Sequence, residues 1–229
     1  MKRTISETPI ILSVLYAFVP LCHAIGAAFG YDFILSSDAI TIVVLTVVSL
    51  VLTALFLFYK VTLNKTNAVF AALSLPLSVI NGFFFFPSDW AETGIFVLLC
   101  CGCAAILLFK AARPKALKVV SAVISYLLIF LLIIFFFFTF GINATVNPVV
   151  SPQKTYTALV IKTDQRFLGG CTSVEVANTK EGINLLIFQF SKSPTLVYRG
   201  DGSEFENMKI SWKDEHTLII NNREYDIRD

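Results

Sequence analysis

The chain of 229 residues is 56% apolar and 15% charged, and its net charge is +2. A net charge this small, without a continuous basic stripe, argues against a nucleic-acid surface, so nucleic acid is not an expected partner. Four of the five cysteines lie in apolar segments, and no disulfide framework is encoded. No charged residue lies between Lys118 and Lys154, whereas the last 76 residues carry 10 basic and 11 acidic side chains. This division predicts a lipid-soluble first part and a water-soluble last part.

Five apolar stretches without Asp, Glu, Lys or Arg are long enough to form transmembrane helices. A bilayer core of about 30 Å needs roughly 20 apolar residues in helical form, because backbone groups cannot be left unpaired in lipid. The stretches cover residues 9–29, 39–59, 68–86, 93–109 and 119–142. We therefore predict a membrane all-α bundle of five transmembrane helices over residues 1–142, a linker over 143–152 and a small antiparallel β domain over 153–229.

The first stretch has a second interpretation as a cleavable signal peptide. Lys2 and Arg3 precede it, and it ends in small residues such as Ala28. Its apolar run of about 20 residues is longer than the usual run of about 7 to 15, which favours an uncleaved span.

The orientation follows from the Lys and Arg residues near the ends of the stretches. The N-terminal tail and the second and fourth connections hold eight of them, namely Lys2, Arg3, Lys60, Lys65, Lys110, Arg113, Lys115 and Lys118. The first and third connections hold none. Because Lys and Arg are retained on the cytoplasmic side, we predict a multi-pass cell-membrane protein with a cytoplasmic N-terminus and an extracytoplasmic C-terminal domain. The lipid bilayer is its first expected partner.

Three polar features of the predicted spans are candidate sites, and each also has a structural interpretation. His23 either hydrogen-bonds a neighbouring helix or relays protons, and the absence of carboxylates from the spans favours the first role. Asn81 follows Pro76, which frees a backbone carbonyl one turn earlier, so it either lines a polar cavity or, more simply, bridges two helices. Cys100 and Cys103 have Cys-x-x-Cys spacing. Without a cation to stabilise a thiolate, they are expected to be packing residues together with Cys101.

No set of residues typical of catalysis in the membrane is present in the sequence. A serine–histidine pair, two aspartates or a His-Glu-x-x-His motif would be needed within the spans. We therefore predict no enzymatic activity, and we assign no catalytic, cofactor-binding or metal-binding residue.

The C-terminal part has the periodicity of short strands. Met208, Ile210 and Trp212 alternate with polar residues, which predicts a strand with one buried face and Trp212 as the core anchor. Asn221 and Asn222 are expected to form a two-residue hairpin turn. The strands are predicted at residues 155–162, 172–177, 183–190, 195–198, 208–212, 217–220 and 223–227. Gly169-Gly170 and Gly200-Asp201-Gly202 are expected to be turns between them.

Chemically reactive residues are few in this part. His216 lies beside Asp214 and Glu215, a grouping that either binds a metal or is a solvated polar turn, and the turn is the simpler interpretation. Cys171 is either a nucleophile or a buried, idle thiol, and the second is favoured because no base is evident. Asn143 begins an Asn-x-Thr sequon, which matters only in a eukaryotic secretory pathway.

Three segments of the last third of the chain carry a resemblance. They are Ser151-Pro152-x-Lys154-x-Tyr156-x-Ala158, Gly170-Cys171-Thr172-Ser173 and Ile210-x-Trp212-x-Asp214-x-x-Thr217-Leu218-x-Ile220. Together they resemble a small extracytoplasmic domain of unknown function from membrane proteins and lipoproteins of Gram-positive bacteria, although Cys171 stands where a small residue is expected. The resemblance implies a bacterial cell membrane and a non-catalytic β module, and it implies no substrate.

The leading functional hypothesis is a non-enzymatic integral membrane protein whose extracytoplasmic β domain binds a protein or a cell-envelope component. The alternative is a small transport or channel subunit, suggested by the five spans, an apparent repeat of a two-helix hairpin, and Asn81. A third possibility, an intramembrane thiol oxidoreductase, requires Cys100 and Cys103 to reach a quinone or the outer surface.

Overall fold

The structure, a computed structural model, describes residues 6–59, 64–85, 90–112, 114–139, 141–145, 148–165, 169–179 and 182–227. The chain divides into two compact units. The helical unit consists of Met1–Ile25 and Leu35–Phe135, and the β unit consists of Gly26–Ile34 and Phe136–Asp229. The β unit thus includes a segment from the N-terminal part of the chain.

Among the described residues, five helices are long and apolar enough to cross a membrane. They are α1 (Thr8–Ala28), α2 (Asp38–Phe58), α3 (Lys65–Phe85), α4 (Trp90–Ala111) and α5 (Lys115–Thr139). The predicted order of five long apolar helices followed by antiparallel β-sheets is confirmed. The last helix ends before residue 142, because Gly141 already begins a strand.

The helix ends that the structure describes use side chains to satisfy backbone groups. Ser37 precedes α2, and its hydroxyl accepts a hydrogen bond from the Ile40 amide at 3.3 Å. The Lys110 ammonium donates to the carbonyls of Phe56 and Leu57 at 3.2 and 2.9 Å, at the end of α2. The Lys118 ammonium donates to the Phe109 carbonyl at 2.9 Å. These lysines supply donors to carbonyls that have no partner within their own helix.

The β unit contains eleven described strands in three sheets. The strands are β1 (Tyr31–Leu35), β2 (Gly141–Thr145), β3 (Val149–Val150), β4 (Tyr156–Gln165), β5 (Gly169–Asn178), β6 (Gly182–Asn184), β7 (Phe188–Lys192), β8 (Thr195–Asp201), β9 (Ile210–Trp212), β10 (Thr217–Ile220) and β11 (Arg223–Asp226). The sheet orders are β2-β4-β5-β8 with β3 also on β4, β11-β10-β9, and β1-β7-β6. A 3₁₀ helix, Gly202–Asn207, connects β8 to the segment before β9. The predicted turn between β10 and β11 is confirmed, with φ of 48° at Asn221 and 66° at Asn222.

Several predicted elements differ from the structure. The predicted linker, residues 143–152, includes part of β2 and all of β3, which pair with β4, and Pro152 lies in a turn. The strand predicted at 183–190 is two strands, because Leu185 to Ile187 form a tight turn between β6 and β7. Gly169 and Gly170 lie within β5 and not in a turn, and Gly200 and Asp201 lie within β8. The first connection between spans forms strand β1, which the sequence pattern does not predict.

Alternating residues of three strands build the core of the β unit. Its buried members are Tyr156, Ala158, Val160, Val174, Val176, Leu218, Ile220 and Ile227. Trp212 packs against this core but is only partly buried, so it is not the central anchor that was predicted. Its ring stacks on Tyr156 with centroids 6.2 Å apart, and its indole Nε1 donates to the Val149 carbonyl at 2.9 Å. Trp212 therefore joins β9 to β3 at the margin of the core.

Candidate functional site

The most distinctive polar site of the helical unit is built around a proline inside α1. Pro20 has no amide hydrogen, so the carbonyl of Tyr16, four residues earlier, loses its helical donor. The Asn81 side chain of α3 donates its Nδ2 to this carbonyl at 2.7 Å. The same nitrogen lies 2.9 Å from the Leu77 carbonyl of its own helix. Asn81 thus bridges two helices, which is the simpler of its two predicted roles.

A second proline has the same kind of compensation. Pro76 lies inside α3 and leaves the Ala72 carbonyl without its helical donor. The Ser121 hydroxyl of α5 donates to that carbonyl at 2.6 Å. Sequence reasoning missed Ser121, although the freed carbonyl near Pro76 was the signal that a donor was needed.

A further polar group in the helical unit surrounds the Tyr16 hydroxyl. This hydroxyl lies 3.0 Å from the Ser49 hydroxyl and 3.2 Å from the Cys100 carbonyl, both in hydrogen-bonding geometry. The Thr46 hydroxyl lies 3.4 Å from the Cys100 sulfur and donates to the carbonyl of Ile42 at 2.8 Å. These contacts join α1, α2 and α4, so most of the polar interior described is already engaged in contacts between helices. Four side-chain oxygens of the helical unit are exceptions, since within the described residues they are buried without a hydrogen-bond partner: Thr8 Oγ1, Thr53 Oγ1, Asn67 Oδ1 and Asn81 Oδ1.

The predicted candidates His23 and the α4 cysteines do not form one site with Asn81 in any described contact. His23 stacks on Phe84 with ring centroids 4.4 Å apart and an interplanar angle of 19°. Cys100 and Cys103 are buried free thiols. The Ser78 hydroxyl donates to the Cys101 sulfur at 3.4 Å. The cysteines pack within the helical unit as small side chains, in line with the structural interpretation.

In the β unit, the acidic residues beside His216 are engaged with the backbone. Asp214 Oδ1 accepts from the amides of His216 and Thr217 at 2.9 and 2.8 Å. Glu215 Oε1 accepts from the Ser151 hydroxyl at 2.8 Å, and its Oε2 accepts from the Gln153 amide at 2.7 Å. In the part of the chain that the structure describes, no group of three His, Cys, Asp or Glu side chains could hold a metal ion. The described geometry is that of a polar turn.

The two acidic residues of this turn have lowered pKa values. Desolvation alone would raise the pKa of Glu215, but the hydrogen bonds from Gln153, Ser151 and Thr155 outweigh it and lower the pKa to about 2. The pKa of Asp214 is also lowered, chiefly by the hydrogen bond from the His216 amide. Glu215 therefore holds the Ser151 turn as a carboxylate. This contact joins the Ser151 turn to the turn that precedes β10.

The remaining predicted residues of the β unit are dispersed. Cys171 is a partly buried free thiol in β5, paired with Thr163 and with Asp201 on the neighbouring strands. Asn143 lies in β2, opposite Thr163 of β4. The described contacts bring neither residue together with His216.

A cleft between two sheet margins was not predicted from the sequence. It has a volume of about 240 Å³ and is lined by Thr195, Leu196, Val197, Tyr225, Asp226 and Ile227. The first three belong to β8, and the others lie at the end of β11. Among the described strands, β8 and β11 are each the last strand of a sheet and have one strand neighbour. The pairing of β8 with β5 also shifts register beside the cleft, between Val174 and Glu175.

Comparisons with known proteins give no relative, since no protein-family model, no curated protein and no solved structure matches the chain.

Proposed function

We propose that this chain is a non-enzymatic membrane protein whose five helices anchor the β unit outside the cell, where the cleft between β8 and β11 binds an extended segment of a partner protein. The location in a bacterial cell membrane rests on the sequence resemblance alone. The observation that carries the binding role is the cleft itself, flanked by two strands at sheet edges.

Insertion into a bilayer is supported by the surface of the helices. Large apolar side chains are exposed along all five, including Phe58, Leu98, Phe109 and Tyr126. On α5, exposed apolar residues occur in every turn between Val119 and Phe135. A soluble monomer rarely exposes apolar patches of more than a few hundred Å², whereas lipid solvates such a surface.

The number of spans and their orientation have separate support. Strand β1 follows α1, and its sheet neighbour β7 comes after α5. Strands of one sheet lie on one side of a membrane, so an even number of crossings must separate them, and α2 to α5 supply four. The distribution of Lys and Arg then favours the outer side for this sheet.

The engaged polar groups of the helical unit favour anchoring over transport. Asn81 and Ser121 satisfy carbonyls freed by prolines, and the Tyr16 hydroxyl lies between α2 and α4. Polar side chains that already join helices stabilise a packed bundle. The transport hypothesis needs such groups to face a substrate path.

The size and walls of the cleft favour an extended peptide as the ligand. Small-molecule sites usually enclose about 300 to 1,000 Å³, and the cleft is smaller, at about 240 Å³. Strand edges recognise peptides by adding a strand, with pockets that take alternate side chains. Leu196 is 53% exposed at this cleft and offers an apolar contact without serving the core.

The proposal is tested by site-specific photo-crosslinking in native membranes. A photoreactive residue at Leu196 should give a discrete protein adduct, whereas one at the exposed Ser203 should not. The partner segment so identified is then measured for binding to the purified full-length protein. We expect Leu196→Lys to weaken this binding at least tenfold, which corresponds to about 1.4 kcal/mol.

Val150→Lys is the matched control, because it introduces the same charge at an exposed aliphatic residue of β3. It should leave the affinity for the partner segment unchanged. Equal effects of the two variants, or equal adducts at Leu196 and Ser203, would contradict binding in the cleft.

A further inference from the structure

The turn between β6 and β7 exposes an apolar surface that the β unit does not cover. Leu185, Leu186 and Ile187 follow one another at the tip and are 53%, 95% and 59% exposed. The Leu185 amide donates to the Phe188 carbonyl at 2.8 Å, which closes the turn. No Asp, Glu, Lys or Arg lies between Gly182 and Ser191. Three consecutive large apolar side chains at a tip are costly in water and mark an interaction surface.

The hairpin that carries this tip is held against the end of the first helix. The Phe33 ring of β1 lies 5.3 Å from the rings of both Phe188 and Phe190, centroid to centroid. The Ser193 hydroxyl donates to the Asp32 carboxylate at 2.7 Å. Gly26 lies in the last turn of α1, and a Cβ there would be 3.4 Å from the Phe190 ring. A Cβ at Gly26 would also lie 2.6 Å from the Tyr31 carbonyl, so this close approach requires glycine.

This contact fixes the depth of the hairpin relative to a bilayer. Helix α1 has 21 residues, and at 1.5 Å per residue it is about 31 Å long, close to the thickness of the hydrocarbon core. Gly26 is therefore expected at the boundary between acyl chains and headgroups, and Phe190 beside it. From Phe190 to Leu186 the chain runs four residues, at most about 14 Å. The tip is thus within reach of the outer leaflet.

We propose that Leu185, Leu186 and Ile187 insert into the outer leaflet of the membrane and dock the β6–β7 hairpin on the lipid surface. The bilayer itself is the proposed ligand, because the hairpin is attached at the depth of the interface and its segment from Gly182 to Ser191 carries no charged side chain. Insertion is shallow, since backbone groups of a turn still need the water of the headgroup region. This inference rests on the membrane insertion proposed above and is independent of the cleft.

The test uses the full-length protein in vesicles of phosphatidylcholine and phosphatidylglycerol. In a cysteine-free background, a single cysteine at Leu186 carries an environment-sensitive fluorophore. We expect a blue-shifted emission, strong quenching by lipids with a nitroxide near the headgroup, and loss of quenching by aqueous iodide. A label at Ser203, an exposed residue of the 3₁₀ helix, should give the opposite result.

A third label, at the exposed Leu127 of α5, tests membrane insertion separately. It should be quenched by lipids with a nitroxide deep in the acyl chain. Quenching at Leu127 with an aqueous spectrum at Leu186 overturns the docking of the hairpin and leaves the membrane anchor intact. No quenching at Leu127 overturns both. A Leu186 label that is aqueous in vesicles but shielded in native membranes overturns lipid docking in favour of a protein partner.

Discussion

The bond from Asn81 to the Tyr16 carbonyl predicts an energetic coupling with Pro20. In Asn81→Leu the carbonyl loses its only donor from outside α1 that the structure describes. An unpaired buried backbone group costs about 1–3 kcal/mol, and a hydrogen bond between membrane helices contributes about 0.6 kcal/mol on average. Removal of the unpartnered Asn81 Oδ1 offsets part of this loss. We expect a net destabilisation of about 1 kcal/mol.

The coupling is tested by a double-mutant cycle, in which the second substitution is Pro20→Ala. This change restores an amide hydrogen four residues after Tyr16, so the helix itself can donate to the carbonyl. In the Pro20→Ala background, Asn81→Leu should cost little, because the Tyr16 carbonyl keeps its helical donor and only the loss of the Leu77 contact and the relief of Oδ1 remain. These two effects are common to both backgrounds and cancel in the cycle, which leaves a coupling free energy of about 1–2 kcal/mol.

The coupling is measured by equilibrium unfolding of the wild type, the two single variants and the double variant, all full-length, in mixed micelles with a denaturing detergent. Ser49→Ala is the matched control, since Ser49 contacts the hydroxyl of Tyr16 and not its carbonyl. Its cycle with Pro20→Ala should be additive within about 0.5 kcal/mol. If Asn81→Leu costs the same with and without Pro20→Ala, the compensation argument is refuted.

Three further predictions concern the β unit and the topology. Leu218→Ala, at a fully buried core position, should lower the free energy of unfolding by about 3–5 kcal/mol. Trp212→Ala should lower the free energy of unfolding by less, because Trp212 is only partly buried. Pulse proteolysis of the full-length variants measures both changes. The pKa of Glu215 is lowered to about 2 in the folded protein, compared with about 4.3 in an unfolded chain. The ionised Glu215 therefore stabilises the folded state fully above about pH 4.3, and this stabilisation is lost as the pH falls through the folded pKa. Stability measured from about pH 5 to 2 should therefore fall less steeply in Glu215→Gln than in the wild type. A single cysteine at Ser203 should react with a membrane-impermeant thiol reagent on intact cells, and one at the exposed Ala116 should react only after lysis.

A specific outcome would contradict each of these three predictions. A larger loss for Trp212→Ala than for Leu218→Ala would place the indole in the core. Parallel pH profiles of the wild type and Glu215→Gln would show that the carboxylate does not titrate with unfolding. Labelling at Ala116 but not at Ser203 in intact cells would invert the orientation. Ala116 suits the inner label because its side chain is exposed, whereas Ala112 in the same connection is buried.

The helices were predictable because an apolar run of about 20 residues without charge has few alternatives. The hydrogen-bond partners of the polar residues in these helices were not predictable. Pro76 indicated a free carbonyl, yet Asn81 serves the carbonyl freed by Pro20, and Ser121 serves the one freed by Pro76. Which donor reaches which carbonyl depends on helix rotation and crossing, and a single sequence does not encode these in a local pattern.

In the β unit, local alternation located most strands but not their ends. The turn from Leu185 to Ile187 contains no Gly, Pro, Asn or Asp, so the pattern predicts one continuous strand there. Strand β1 was missed because its neighbour β7 lies more than 150 residues later in the chain. Period-2 patterns detect a strand that has one buried face, but they carry no information on distant pairing. The cleft between β8 and β11 depends on the same long-range arrangement.

The pairing of β1 with β7 sets an order for synthesis. Residues 31–35 emerge early, but their sheet neighbour, residues 188–192, is made only after all four later helices. Until then β1 is an unpaired edge between two nascent spans, open to pairing with other chains. In the proposed topology, this sheet can form only after the helices have been inserted and the C-terminal segment has been translocated. A chain truncated after α5 would leave β1 without the strand that it pairs with.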